Sequence, residues 1–263
     1  MEEEISISSV IFRLANESDC SFISGETISF NELTNESGFI FTDFNRKNAF
    51  LIKPQTNITG NWEKIKNKFN HNLFNPLNSS EEISTDKDDY NFGFRIVKNE
   101  IEYKKITKAV LSRKIVFQDT SNAIKVFEQL VKNYPSSHIY LVKIPSGDIW
   151  IGASPETLIT EKDKIASTMS LAGTKKDRKT NWTEKEYVEQ KIVTSTILNC
   201  LKKLNINTKI SPLETVEAGA VYHLRNTISF STENRSVAEI AEKLHPTPAI
   251  SGSPKSAAYS TIK

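Results

Sequence analysis

The sequence predicts an α+β fold in which antiparallel strands outnumber a few long helices. Short apolar runs separated by turn residues recur through residues 5 to 60, two hairpin patterns follow in the middle of the chain, and a helical apolar stripe runs from about Trp182 to Leu204. The regular strand–helix alternation of a parallel nucleotide-binding sheet does not occur.

The opening runs are Ile5 to Leu14, Phe39-Ile40-Phe41 and Phe50-Leu51-Ile52, spaced by turns such as Asn35-Glu36-Ser37-Gly38. From Asn75 to Asp89 the chain turns polar (Asn78-Ser79-Ser80-Glu81-Glu82, then Thr85-Asp86-Lys87-Asp88-Asp89), which predicts an exposed connection. It divides the chain into a strand-rich segment, 1–85, and a denser part, 86–263. Ile106 to Phe117 reads as one long strand, and Ser121 as the start of a helix that runs through Asn133 and is closed by Pro135. Ile139 to Ile144 and Asp148 to Ala153 form a hairpin around Pro145-Ser146-Gly147-Asp148, and a second hairpin turns at Glu161-Lys162-Asp163-Lys164. In the long helix, Thr183 and Glu186 make a capping box, and Ile192, Val193, Ile197, Cys200, Leu201 and Leu204 share one face. The segment Leu244 to Lys255 is a proline-rich loop with Ser253 placed to cap and Pro254 to start a last helix.

At 263 residues the chain is long enough for one large or two small domains with a real core. Its 34 Lys+Arg nearly balance 32 Asp+Glu, and no basic run is interleaved with aromatics, so nothing marks a nucleic-acid or membrane surface. Cys20 and Cys200 lie far apart without metal spacing, as for reduced thiols. With an acidic start, Met1-Glu2-Glu3-Glu4, and no 18-residue apolar run, the expectation is a soluble cytoplasmic protein.

Several residues carry possible chemistry. Glu189 falls on the apolar stripe of the long helix, where a carboxylate needs a cation, a hydrogen-bond network or a metal; a partly exposed first-turn glutamate fits the same period. Lys108 alternates with Ile106 and Val110, as an exposed strand lysine does, or as a general base does when it points into an enclosed site. Glu156 ends a strand in Gly152-Ala153-Ser154-Pro155-Glu156, a plain turn carboxylate or a general acid. Leu171-Ala172-Gly173-Thr174 reads as a short glycine turn whose N–H groups can hold a carboxylate. His223 shares a strand face with Val221, Arg225 and Thr227, while Tyr222, Leu224, Ile228 and Phe230 form the apolar face.

Taken in order, Lys108-Ala109-Val110-Leu111-Ser112-Arg113, Ser154-Pro155-Glu156, Leu171-Ala172-Gly173-Thr174, Lys185-Glu186 with Glu189, Val221-Tyr222-His223-Leu224 and His245-Pro246-Thr247-Pro248-Ala249 resemble the catalytic half of the isochorismate synthases. The likeness spans roughly Tyr90 to the end. It implies an anthranilate synthase component I-like fold, antiparallel sheets flanked by helices with a cleft active site. It further implies that Lys108 deprotonates water for attack at C2 of chorismate, that Glu156 protonates the departing C4 hydroxyl, and that Glu189 ligates Mg²⁺. Ala172, Gly173, Thr174, His223, Thr247 and Ala249 would then contact the substrate, in a monomer serving menaquinone or siderophore biosynthesis. Ala172, where aminodeoxychorismate synthases carry a lysine, and Pro246-Thr247-Pro248-Ala249, where anthranilate synthases resemble Pro-Ala-Gly-Thr, point away from those sister activities. Salicylate synthase shares the lysine and is the alternative. This chain departs from the pattern at Asn226, where the family has threonine or serine, and at Lys263, which falls about ten residues into the last helix. A truncated catalytic domain is therefore expected, its second acidic metal ligand and its carboxylate-gripping residues lying beyond Lys263; a non-catalytic chorismate-binding fragment is the other reading.

Overall fold

The computed structural model describes residues 7–29, 36–75, 83–117 and 122–263. In chain order it opens with strands β1 (Ile7–Arg13), β2 (Cys20–Ser29), β3 (Phe39–Thr42), β4 (Ala49–Ile52) and β5 (Thr56–Gly60), a helical turn α1 (Trp62–Ile65) and a 3-10 turn over His71–Phe74. Helix α2 (Lys87–Glu102) and the short strand β6 (Lys108–Ala109) follow, then helix α3 (Ala123–Asn133) and strands β7 (His138–Lys143) and β8 (Ile149–Ser154). The remainder holds β9 (Thr160–Lys162), β10 (Ile165–Lys175), α4 (Glu184–Lys203), β11 (Thr208–Ile210), β12 (Glu214–Ala218), β13 (Val221–Ser231), α5 (Val237–Leu244), β14 (Gly252–Ser253) and α6 (Lys255–Ile262). Among the described residues no helix is long and apolar enough to cross a membrane, and both cysteines are free.

The chain forms two compact units, one of Met1–Ser80 with Asp119–Glu156 and one of Glu81–Gln118 with Thr157–Lys263. The first holds a seven-stranded sheet, ordered β3-β4-β2-β1-β7-β8 with β5 also on β2. Val10 and Ile11 are both buried because both sheet faces are covered there. On one face Ile11, Cys20, Phe22, Ile139 and Leu141 pack with Trp62, Ile65, Ile124 and Phe127; on the other Val10, Ile23, Ile52 and Val142 pack with Phe39 and Tyr140. Asn122 starts α3 by accepting from the Ile124 and Lys125 amides at 2.9 and 3.3 Å. At its far end the buried Arg13 guanidinium donates to the carbonyls of Val131, Tyr134 and Ser137 at 2.9, 2.5 and 3.0 Å, which satisfies acceptors a helix end leaves open. Burial pushes the neighbouring Cys20 thiol up to about 11, so it stays neutral.

In the second unit the sheet runs β11-β13-β10-β9, with β12 on β13. Alternation on β13 buries Leu224, Asn226, Ile228 and Phe230, and the register places them opposite Ala172, Ser170, Thr168 and Ala166 of β10. Val193, Ile197 and Leu201 of α4 and Ile240 and Leu244 of α5 cover this face. The two hairpins, the long helix and the apolar face of β13 therefore form where the sequence places them.

Four expectations change. Ile106 to Phe117 is not one strand: β6 is two residues long, and beyond it the Val116 and Lys114 amides bond to the Ser84 and Thr85 hydroxyls, at 2.8 and 3.1 Å, in place of a ladder. Lys87 to Asp89 are not connection but the first turn of α2, because the Asp86 side chain accepts from the Asp89 amide at 2.7 Å. The Leu171 to Thr174 segment is not a turn but part of β10, where a bulge with Gly173 at φ +69° lets the strand continue. Pro254, with φ −60° and ψ 145°, is extended and caps α6 rather than starting it, and Ser253 belongs to β14. The expected features at Ile5, Asn35, residues 78–82 and Ser121 lie outside the described residues.

A Cβ on Gly252 would stand 2.2 Å from the Lys108 carbonyl oxygen and 2.6 Å from Ala258 Cβ. Gly252→Ala is therefore expected to destabilise by at least about 1–3 kcal/mol, as for a methyl group forced into filled space. Urea unfolding reads this directly; an unchanged midpoint would show that β14 can move away from β6 freely.

Candidate functional site

Lys108 owes its position to the short ladder between β6 and β14. It pairs with Ser253, and on either side the Thr107 and Val110 amides donate to Ser253 and Ser251 at 2.7 and 2.8 Å. This ladder turns the Lys108 side chain inward, where only 9% of the residue is exposed. Its Nζ donates to the Pro248 carbonyl at 2.5 Å and stands 3.2 Å from Glu189 Oε1. A buried ammonium needs such partners, since desolvation without them is costly.

Glu189 comes from the first turns of α4. Periodicity left it either inward or half-exposed, and the ion pair decides: its side chain is 30% exposed and turned to Lys108. The helix start is fixed by Glu186, whose carboxylate accepts from the Thr183 amide at 3.0 Å and from the Thr183 hydroxyl. Those bonds, the hydroxyl first, hold the Glu186 carboxyl below its ordinary range.

Lys108 and Glu189 open onto a cavity of about 740 Å³ inside the second unit. Tyr90, Phe94, Val97 and Ile101 of α2, Val110 and Leu111 beyond β6, and Val188 and Ile192 of α4 form its apolar wall, with Glu184 and Lys185 also on the lining. An apolar cavity with a few converging polar groups is the usual form of a small-molecule site. The α2 wall was missed in the sequence. Tyr90, Phe94, Val97 and Ile101 do recur at helical spacing, but the polar stretch before them read as connection up to Asp89.

A second cluster forms where β10 and β13 adjoin. His223 Nδ1 lies 2.7 Å from the Gly173 carbonyl and 3.3 Å from Thr174 Oγ1. Because a carbonyl only accepts, Nδ1 carries a proton, which in a neutral imidazole makes Nε2 the acceptor. A Cβ on Gly173 would meet Glu186 Cβ at 3.0 Å, so the bulge sits against the start of α4. The side chains of Ala172 and Ala249 pack in the apolar cluster under α4. Thr247, 4% exposed, accepts through its carbonyl from the Ser251 hydroxyl at 2.9 Å, one residue from the Pro248 carbonyl that holds Lys108. The structure thus joins Lys108 with Glu189 and the Thr247–Ala249 loop, and His223 with Gly173 and Thr174. Glu156 belongs to the first unit, just past β8, where the Ser154 hydroxyl donates to its carbonyl at 3.1 Å.

Among the described residues no cluster of three or more His, Cys, Asp or Glu side chains is placed to hold a metal. A magnesium ion takes oxygen ligands and commonly draws only one or two carboxylates from the protein, with water and substrate oxygens completing its shell. Glu189, a carboxylate on the cavity wall, fits that contribution.

Residues 34–263 match the family model described as chorismate binding enzyme. The chain is 27% identical over 205 residues to isochorismate synthase MenF of Bacillus subtilis, covering 70% of this chain and 42% of that protein. It is 29% identical over 173 residues to isochorismate synthase EntC of Escherichia coli, covering 60% and 44%. It therefore spans less than half the length of these curated relatives. In fold it resembles MenF of Escherichia coli, described as the menaquinone-specific isochorismate synthase, with a TM-score of 0.72 at 19% identity over 99% of this chain and 73% of that one. DhbC of Bacillus anthracis is also similar, with a TM-score of 0.75 at 19% identity over 99% and 78%. These likenesses agree with the expected α+β fold of antiparallel sheets and helices.

The ion pair has an asymmetric signature. Glu189→Ala strands a buried ammonium, whereas Lys108→Met removes the charge that needs burial and leaves a half-exposed carboxylate. Thermal unfolding should find Glu189→Ala the more destabilised, by about 1–3 kcal/mol. The reverse order would show that Lys108 does not depend on Glu189.

Proposed function

The chain belongs to the chorismate binding enzyme family, and on that premise we propose that it carries the catalytic centre of an isochorismate synthase. The observation that carries this reading is the buried Lys108, held by the Pro248 carbonyl and Glu189 at the edge of an apolar cavity. Chorismate, a small dianionic ring, suits a cavity with apolar walls and a few fixed polar groups.

In this reading Lys108, once its ammonium has given up a proton, is the general base that takes a proton from water as the water oxygen bonds to C2 of chorismate. The ring double bond shifts and the C4–O bond breaks. Glu156 supplies a proton, so that the C4 hydroxyl leaves as water. One water enters and one departs, with Lys108 left protonated and Glu156 ionised. Mg²⁺, held through Glu189, would supply charge neutralisation for the ring carboxylate. Gly173, Thr174 and His223 contact the substrate from the β10–β13 side, and Ala172, Thr247 and Ala249 from their loop and strand backbones. His223 contributes an acceptor at Nε2 because its Nδ1 is committed to the Gly173 carbonyl. Membership of the wider family is equally compatible with menaquinone or siderophore biosynthesis.

The full-length protein incubated with chorismate is expected to form isochorismate only when Mg²⁺ is present, and turnover that persists in excess chelator would remove the cation from the scheme. Glu189→Gln keeps size but not charge, so metal-dependent turnover should collapse. Lys108→Ala should abolish hydroxylation at C2 yet keep chorismate affinity within roughly tenfold, about 1.4 kcal/mol. A lactate dehydrogenase couple measures pyruvate in the same incubation. Little should appear; pyruvate equal to the chorismate consumed would instead identify a salicylate synthase.

A further inference from the structure

Next to Glu189 on α4 lies a buried polar group that the scheme above does not use. Gln190 is 3% exposed, and its Nε2 donates to the Ser170 carbonyl at 3.0 Å, to Ser170 Oγ at 2.9 Å and to Asn226 Oδ1 at 3.1 Å. One turn further on, Thr194 Oγ1 lies 2.8 Å from Ser170 Oγ and 3.4 Å from Asn226 Oδ1. Ser170 and Asn226 are direct partners in the β10–β13 ladder, and Asn226 Nδ2 also reaches the Ser211 carbonyl at 3.0 Å. Two residues of one helix, a turn apart, therefore grip one rung of the sheet.

The arrangement is not optimised for stability. Nε2 has two hydrogens for four acceptors, Thr194 Oγ1 at 3.5 Å being the fourth, while Gln190 Oε1 is buried with no partner. Turning the amide over would set Oε1 against the Ser170 carbonyl, so the orientation is determined. A methionine would fill the same space without an orphaned acceptor. What the amide adds is direction. Successive residues of an α-helix are about 100° apart around its axis, so seating Gln190 on the Ser170–Asn226 rung sets where Glu189 points.

We propose that Gln190 is a positioning residue: through the buried Ser170–Thr194–Asn226 network it fixes the rotation of α4 and holds the Glu189 carboxylate in register with Lys108. This rests on the reading that Glu189 and Lys108 serve the catalytic centre. Asn226 acquires a role in it, as the strand-side anchor of the amide.

The test replaces Gln190 by Met and reads four quantities. Thermal stability should change little. Chorismate KM should stay within about threefold while kcat falls about 10–100-fold, the usual range for a group that orients a ligand. Mg²⁺ affinity, titrated calorimetrically without substrate, should fall by a similar factor. Gln190→His, which keeps an N–H donor, should recover much of both. Ile197→Val loosens the apolar half of the same helix without touching the network and should leave kcat and Mg²⁺ affinity unchanged.

Wild-type kcat and Mg²⁺ affinity in Gln190→Met, or an equal loss in Ile197→Val, would overturn the proposal. If Gln190→Met does not fold, Ser170→Ala removes one hydroxyl of the network and should lower kcat at constant KM; an unchanged kcat has the same overturning force. If the wild-type protein neither turns over chorismate nor binds Mg²⁺, the functional reading fails by itself. Positioning is then read from a double-mutant cycle in urea between Gln190→Met and Glu189→Ala. Non-additive losses support it and additive ones refute it.

Discussion

The seating of α4 across the β10–β13 pair is the contact on which the candidate site depends. Val193, Ile197 and Leu201 lie in the cluster formed with Ala166, Ile228 and Phe230, and each such buried side chain contributes roughly 1.5–3 kcal/mol. Apolar burial of this kind is strong but indifferent to small rotations of the helix. The polar contacts lie at the other end, where Glu186 closes the first turn and Gln190 meets Ser170 and Asn226. Adhesion and orientation are thus divided along one helix, and Glu189 stands at the end where orientation is determined.

Lys108 shows the complementary constraint on a strand. A lysine in a long ladder with one covered face would either point outward or leave an ammonium among apolar side chains. With β6 only two residues long, the lysine meets a carbonyl from the Thr247–Ala249 loop and a carboxylate from α4 instead. The close approach of Gly252 brings that loop within reach, since a side chain there would collide with the Lys108 carbonyl.

Much of this was legible in the sequence, for identifiable reasons. The hairpins follow from their turn residues, the apolar face of β13 from period-two alternation, and α4 from its capping box and stripe; these are local patterns, and the structure keeps them. The order of the motifs was enough to point to the family. What could not be read depends on partners distant in sequence. The apolar run after Ile106 looked like a strand because nothing local indicates that Ser84 and Thr85 take its amides. Gln190 was not singled out in the sequence, although it precedes Val193 by three residues and Ile197 by seven on the buried stripe. Asn226 stood out as a departure, and its physical account is the rung it shares with Ser170.

The division of the chain also bears on how the protein is made. The first unit is built from two stretches, with residues 81–118 of the other unit between them. One edge of β1 is occupied by β7, with Ser9 opposite Lys143, so during synthesis that edge has no native neighbour until the ribosome has passed through part of the second unit. An apolar strand with an open edge is a template for pairing with other chains. The growing polypeptide therefore has a window of vulnerability that no rearrangement within its first eighty residues can close, and slower translation across residues 81–118 would lengthen it.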